Sequence, residues 1–402
     1  MSWSLRIRLS VMMFLQFAIW GAWLPVLSDY LKNDLGYSGS QIAWIDSAMW
    51  LASIAAPFLA GQIVDRWLPT QWFLAVSQLV AGGAMLAAAR QQAFADLMPW
   101  MALFCLFYAP TMALTASLCF RHLKDVSRQF PGIRVWGTVG WIAIGWGLWL
   151  WRRAQGAPVP GDMLTLAGWC ALAMGVFCFF LPHTPPLKQG KSPWAFVEAF
   201  GLLRDRQFLI FLLLALLGSL GSRFYYVASA AFLHDVGVAR SAMPALRTIS
   251  QIAEVAGVAA LPILLLRLRI RGCLIVGLAA WLARDLIFAL GAPWIVVVGS
   301  LALHGIAFPA FFVVSQIYVD KVAPLDIRAS TQALLALVTM GLGNFLGVQL
   351  SGVVMDHFTV GKATNWSAFY AVPCVLMAVC IAGFLVFFRG PGALRAAGSE
   401  RA

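Results

Sequence analysis

From Val11 to Phe388 the chain runs through about a dozen apolar stretches of 17–25 residues, joined by loops mostly shorter than fifteen residues. At 1.5 Å of rise per residue, helices of that length match the roughly 30 Å hydrocarbon core of a bilayer. No water is available there to the backbone, so each stretch must close its hydrogen bonds within itself. The chain therefore reads as an all-α membrane protein with twelve transmembrane helices. The spans are expected at 9–30, 41–63, 71–89, 98–119, 135–151, 163–181, 208–233, 245–266, 272–290, 294–317, 329–355 and 366–388. No soluble domain is left over, and function must rest on the few polar groups placed between helices.

Hydrophobic residues make up 61% of the chain and charged residues only 11%, against about a quarter charged in soluble domains. That excludes a soluble enzyme or a nucleic-acid-binding module. The net charge of +12 reports topology. With the N-terminus inside, 19 of the 28 Lys and Arg fall in cytoplasmic segments, the usual positive-inside bias. Arg152 and Arg153 stand on the wrong side, which one short loop tolerates. An even number of spans places both termini in the cytoplasm. Arg6 and Arg8 precede an apolar run that continues through Trp20 and Trp23 to Asp29 without a small-residue cleavage site, so it reads as an uncleaved first span. The seven cysteines lie in or at the ends of spans with no CxxC pair, which points to packing and to neither a disulfide framework nor a metal site. No cofactor is expected.

The longest hydrophilic stretch, 182–207, carries Pro182, Pro185, Pro186, Lys188 and Lys191 and is read as a cytoplasmic linker. It separates a six-helix bundle over 1–181 from a second over 208–402 that ends in a short tail. The halves are weakly symmetric: an offset of 205 places Pro57 over Pro262 and Asp46 over Gln251, and Pro110 corresponds roughly to Pro309. Twelve helices in two six-helix repeats suggest the major facilitator architecture, in which the substrate site lies near mid-membrane and alternates its access. After span 2, Gly61-x-x-x-Asp65-Arg66 resembles the cytoplasmic gating motif of that superfamily, without its trailing basic residues.

A charge at the centre of a spanning helix costs roughly 2.5–3.5 kcal/mol on insertion scales, which makes interior ionisable groups functional candidates. Arg247, Gln251 and Glu254 in span 8 share one face at i, i+4, i+7. They fit either an interhelical structural bond or a cavity-facing site for substrate and proton. Arg134, Thr138 and Trp141 repeat that spacing in span 5, although Arg134 also suits a helix-end anchor. Span 7 offers Arg223 and Tyr226, and span 10 offers His304 and Phe308. His304 reads as a packed histidine or a ligand. Gln16, Trp20 and Trp23 share a face of span 1. Asp46, standing at the symmetry mate of Gln251, is a second candidate for protonation. Arg284 and Asp285 differ by about 100° around their helix, and each is expected to bond a different helix. Rings beside amide, carboxyl, hydroxyl and guanidinium groups suit a small, flat, polyhydroxylated ligand, either a nucleoside or a sugar.

Several segments resemble the bacterial nucleoside:proton symporters of the major facilitator superfamily, the nucleoside and xanthosine permeases. They are Phe14–Trp23 (FLQFAIWGAW), Phe130–Gly140 (FPGIRVWGTVG), Ile249–Glu254 (ISQIAE), Ala280–Arg284 (AWLAR) and Ile327–Gln332 (IRASTQ). The resemblance runs nearly end to end. It implies nucleoside uptake driven by the proton gradient across a bacterial inner membrane. It also implies that Arg134, Thr138, the aromatic position of Trp141, Gln251 and Glu254 bind ligand or couple protons. The chain departs from that pattern at Arg223 and Tyr226, at His304, and at Pro309 in place of an Asp. The expected partners are a nucleoside, a proton and the lipid bilayer, with no nucleic acid and with a monomer sufficient for transport. The rival reading is a proton symporter for a sugar or another small polar metabolite. An enzyme lacks a nucleophile–base pair or metal cluster here, and a sensor lacks an output domain.

Overall fold

The computed structural model describes residues 3–156, 158–186, 200–324 and 327–390. The backbone is helical nearly throughout. The helices are α1 (Trp3–Asp34), α2 (Gly39–Arg66), α3 (Thr70–Ala88), α4 (Phe94–His122), α5 (Val126–Gln155), α6 (Asp162–Cys178) and α7 (Arg206–Asp235). A helical run from Met243 to Ala289 breaks at Arg269, where φ is 55°, and so forms α8 (243–268) and α9 (270–289). Then follow α10 (Trp294–Val322), α11 (Ser330–His357) and α12 (Trp366–Val386). Among the described residues, eight helical segments are long and apolar enough to cross a membrane by themselves, the 243–289 run counting as one. A two-residue hairpin, with Thr359 opposite Thr364, joins α11 to α12.

Helix starts follow local chemistry. Ser38 caps α2 by accepting from the Gln41 amide at 3.2 Å, while the Gln41 side chain accepts from the Ser38 amide at 3.0 Å, a capping box. Asp125 caps α5 through the Arg128 amide, and Asn365 caps α12 through the Ala368 amide. Among the described residues, π-helical turns occupy Tyr30–Asp34 at the end of α1, Pro309–Val313 within α10 and Leu337–Gly343 within α11. Turns of this kind release backbone groups from the regular ladder and recur at functional sites.

By packing, the chain divides into two compact units. One comprises Met1–Gly190 with Val227–Thr248, and the other Lys191–Tyr226 with Ile249–Ala402. In the first, α1 packs on α5 and α6, and α3 packs on α4 and α6. A buried polar knot ties three helices: Gln16 donates to Thr111 at 2.9 Å, and Gln78 donates to Gln16 at 2.9 Å and to Thr111 at 3.0 Å. Away from water such polar groups are costly unless bonded, so Gln16 holds the bundle together.

The α1–α5 crossing is close because Gly140 has no side chain. A Cβ there would sit on the Phe14 carbonyl oxygen. Gly140→Ala is therefore expected to destabilise the protein by about 1–3 kcal/mol through overpacking, read as a lowered melting temperature in detergent. Gly147→Ala on the same helix, where a Cβ meets nothing within 4 Å, is the control and should not melt lower. Equal melting of the two variants would remove the close crossing as a constraint.

The second unit has its own core, in which Phe211, Trp281, Phe311, Tyr318 and Phe388 pack together. Gly257 and Gly305 bring the backbones of α8 and α10 into direct contact.

Two expectations about charges change. Arg284 and Asp285, expected to bond separate helices, bond each other. The Arg284 Nε and Nη2 donate to Asp285 Oδ1 at 3.0 and 2.9 Å, with both side chains fully buried. The separation of about 100° holds for the Cβ directions, and the arginine stem is long enough to fold back across it. Arg152, read as a tolerated stray cation, is buried and forks onto Asp162 with bonds of 2.7 and 2.6 Å.

Candidate functional site

In the first unit, α5 presents Arg134, Thr138 and Trp141, and all three are partly buried. The Arg134 guanidinium lies 4.0 Å from the centre of the Phe17 ring, a cation–π contact that holds its planar face. Trp141 meets Trp20 edge-on at 5.7 Å, and Trp20 in turn approaches Trp50 at 6.4 Å. The Trp20 indole nitrogen is buried and has no hydrogen-bond partner among the described residues. The face read across Gln16, Trp20 and Trp23 thus divides. Gln16 and Trp23 turn into the bundle, while Trp20 joins Trp141 and Trp50. Asp46 on α2 is buried close enough for its charge to act on the Cys105 thiol. Arg66 is exposed at the end of α2, and the side chain of Asp65 lies outside the described residues.

In the second unit, Arg223 on α7 is only 4% exposed, and its guanidinium lies 4.1 Å from the Tyr226 ring centre. The Tyr226 hydroxyl is 3.1 Å from His304 Nε2 on α10, and the His304 ring packs on Phe308 at 5.6 Å. Charges on Arg223, Glu254 and Arg284 all reach the Tyr226 hydroxyl. Of the residues read on α7, α8 and α10, Arg223, Tyr226, His304 and Phe308 are joined by these contacts, and the charge of Glu254 acts on them at Tyr226. Gln251 is partly buried, and its carbonyl oxygen has no hydrogen-bond partner among the described residues, which leaves an acceptor open.

Behind this cluster stands a layer missed by the sequence reading. The Tyr225 hydroxyl meets Ser250 at 3.2 Å, and Ser250 donates to the Leu301 carbonyl at 3.1 Å. Arg284 covers the Tyr225 ring at 3.8 Å, and Tyr225 stacks with His304 at 6.0 Å. His304 is thereby fixed from two sides, by Tyr226 at its edge and by Tyr225 across its face. Only the YY dipeptide at Tyr225 and the RD dipeptide at Arg284 hinted at this layer.

The first unit also holds an ionic seam that sequence reasoning did not find. Arg240 forks onto Asp34 with bonds of 2.8 and 2.6 Å and donates through Nε to Asp29 at 2.7 Å. Lys32 pairs with Asp235 at 3.1 Å, Asn33 donates to Asp29 at 2.7 Å, and Arg152 donates to the Arg240 carbonyl at 3.3 Å. Below it, Trp146 donates to Thr248 at 3.2 Å, and Arg247, expected on the Gln251–Glu254 face, donates to Ser229. The seam ties the last turns of α1 and α5 to the end of α7 and the start of α8.

Comparison with known proteins decides the family. Residues 3–392 match the family described as nucleoside H+ symporter. This chain belongs to that family. Among its relatives in Escherichia coli K12, the transporter YegT is 35% identical over 400 residues, covering 95% of this chain and 93% of YegT. The xanthosine permease is 30% identical over 392 residues, covering 92% of each. The crystal structure of the nucleoside transporter NupG superposes with a TM-score of 0.88 at 26% identity, covering 96% of this chain and 100% of that one. The major facilitator fold and the nucleoside:proton symporter family read from the sequence both stand, and the family is one of transporters.

Proposed function

We propose that this nucleoside H+ symporter imports nucleosides with protons across a bacterial inner membrane by alternating access, as a monomer with both termini in the cytoplasm. Two six-helix halves, 1–181 and 208–402, are joined by the cytoplasmic linker 182–207. Arg134, Thr138 and Trp141 supply a guanidinium, a hydroxyl and a ring to the nucleoside. Arg223, Tyr226, Gln251, Glu254, His304 and Phe308 supply the remaining polar edges and stacking faces. Glu254 carries the coupled proton, Asp46 is the second acid, and Asp65 and Arg66 belong to the cytoplasmic gate.

The observation that supports this reading most is the run of contacts from Arg223 through Tyr226 to His304 and Phe308, with the charge of Glu254 reaching Tyr226. A nucleoside has a flat base with donor and acceptor edges and a ribose with hydroxyls. Aromatic faces and fixed polar groups together recognise both parts. The sugar-symporter alternative keeps the fold but leaves the family match unexplained.

Reconstituted protein is expected to accumulate labelled uridine or adenosine when the outside is acidic. Excess unlabelled nucleoside should compete, and glucose should not. Competition by sugars alone would move the cargo to the rival class.

A further inference from the structure

Where α8 breaks into α9, the second unit has an open cavity of about 650 Å³ lined by Arg269, Arg271, Lys321, Arg389 and apolar residues including Leu265 and Ile275. The four cations come from three places in the chain: the α8–α9 turn, the end of α10 and the end of α12. No described carboxylate lines the cavity. Arg271 is anchored by its Nε to the Phe384 carbonyl at 3.0 Å and by Nη2 to the Leu385 carbonyl. For the side chains of Arg269, Lys321 and Arg389, no hydrogen bond or ion pair is formed among the described residues. Topology alone asks only that cations lie on this side of the membrane. It does not ask that four of them converge on one concave site.

The backbone adds an independent sign. Arg269 adopts φ 55° and ψ −178°, and among the described residues no other non-glycine residue has a positive φ. That region is essentially reserved for glycine, and strain of roughly 1–3 kcal/mol persists only where the surroundings hold it. A glycine is available three positions on, at Gly272, yet the turn is made at an arginine whose side chain lines the cavity.

The residues next to the lining in the chain point to the ligand. Leu266, beside the lining residue Leu265, is 85% exposed, and Leu385, Val386 (68%) and Phe387, just before Arg389, are exposed as well. In a membrane protein, exposed apolar side chains at these ends of α8 and α12 suit acyl chains. A site with cations inside and apolar walls facing lipid fits a molecule with an anionic head and hydrocarbon tails. We propose that this cavity binds the phosphate of an anionic phospholipid headgroup, with Arg269, Lys321 and Arg389 as its charge partners and Arg271 as a fixed wall. The site is separate from the cargo-binding residues and does not depend on which solute the protein carries.

The test uses the delipidated full-length protein in detergent, with phosphatidylglycerol, phosphatidylcholine, glycerol 3-phosphate and inorganic phosphate added separately. Native mass spectrometry counts retained lipid, and thermal melting reads stabilisation. Phosphatidylglycerol should be retained and should raise the melting temperature, and phosphatidylcholine should do neither. Inorganic phosphate and glycerol 3-phosphate at equal concentration should stabilise at least tenfold less. Arg269→Gly is the informative variant, because glycine accepts the backbone conformation. It should melt no lower than wild type without lipid, yet lose at least tenfold in phosphatidylglycerol affinity. Lys321→Gln with Arg389→Gln should lose affinity similarly. Undiminished phosphatidylglycerol binding in these variants overturns the site. Equal stabilisation by free phosphate overturns the lipid as its occupant.

Discussion

Glu254→Gln is expected to bind nucleoside and exchange it across the membrane at rates within a few-fold of wild type, while losing concentrative uptake entirely. One proton moving through 100 mV supplies about 2.3 kcal/mol, enough for roughly 50-fold accumulation at about 1.4 kcal/mol per tenfold. The amide keeps the size of the acid and its ability to hydrogen-bond, but has no proton to exchange. The charge of Glu254 acts on Tyr226, which lies under Arg223 and bonds His304. A proton arriving at Glu254 therefore changes the field on groups assigned to the ligand, which is what coupling requires. Collapsing the proton gradient should inhibit wild type strongly and the variant hardly at all. Gradient-driven accumulation surviving in Glu254→Gln would move the coupling proton elsewhere, and Asp46→Asn is then the next variant to measure.

Most of the helices were legible because a bilayer asks each span for length and apolarity, a demand that eight helical segments among the described residues meet by length and composition alone. Faces were legible too: spacing of i, i+4, i+7 put Arg134, Thr138 and Trp141 on one stripe. What spacing did not reveal was which polar groups are already satisfied. Gln16 looked like Gln251 in sequence, yet Gln16 is closed by Thr111 and Gln78 while the Gln251 carbonyl is left open. That difference lies in residues 62 and 95 positions away. The Arg284–Asp285 pair was misjudged because Cβ geometry says little about where a long, flexible arginine ends. In a fully buried site, the nearest carboxylate takes the guanidinium. The ionic seam was invisible for a related reason. Its members sit at helix ends, where charges are ordinary, and the partners of Arg240 are more than 200 residues away.

Arg240→Gln is the second substitution expected to have a large effect, because Arg240 closes the seam. It neutralises two carboxylates at once, and Asp29 is nearly inaccessible. Removing the cation leaves that carboxylate buried without its strongest partner. For groups this sheltered, the loss is about 1–3 kcal/mol, which shifts a two-state equilibrium by roughly 5–150-fold. In the proposed topology these groups lie at the outer ends of their helices, so substrate entry from outside requires the end of α7 and the start of α8 to leave α1 and α5. Thr248 reports that separation. It is 2% exposed and bonded to Trp146 while the seam is closed. In a Thr248→Cys background, adding Arg240→Gln should speed labelling by a membrane-impermeant maleimide applied outside by at least fivefold. Arg240→Lys, which keeps the charge but not the fork, should fall between. The pH dependence is also set. The hydrogen bond to Asp34 raises the pKa of Arg240 above its ordinary value, against burial and with help from Asp29. For a cation with a raised folded-state value, the stabilisation is complete below the ordinary arginine range and is lost only above it. Labelling of the parent should therefore stay constant between about pH 7 and 9 once the reagent's own pH dependence is removed. Equal labelling of Arg240→Gln and its parent would show that the seam does not hold this end closed.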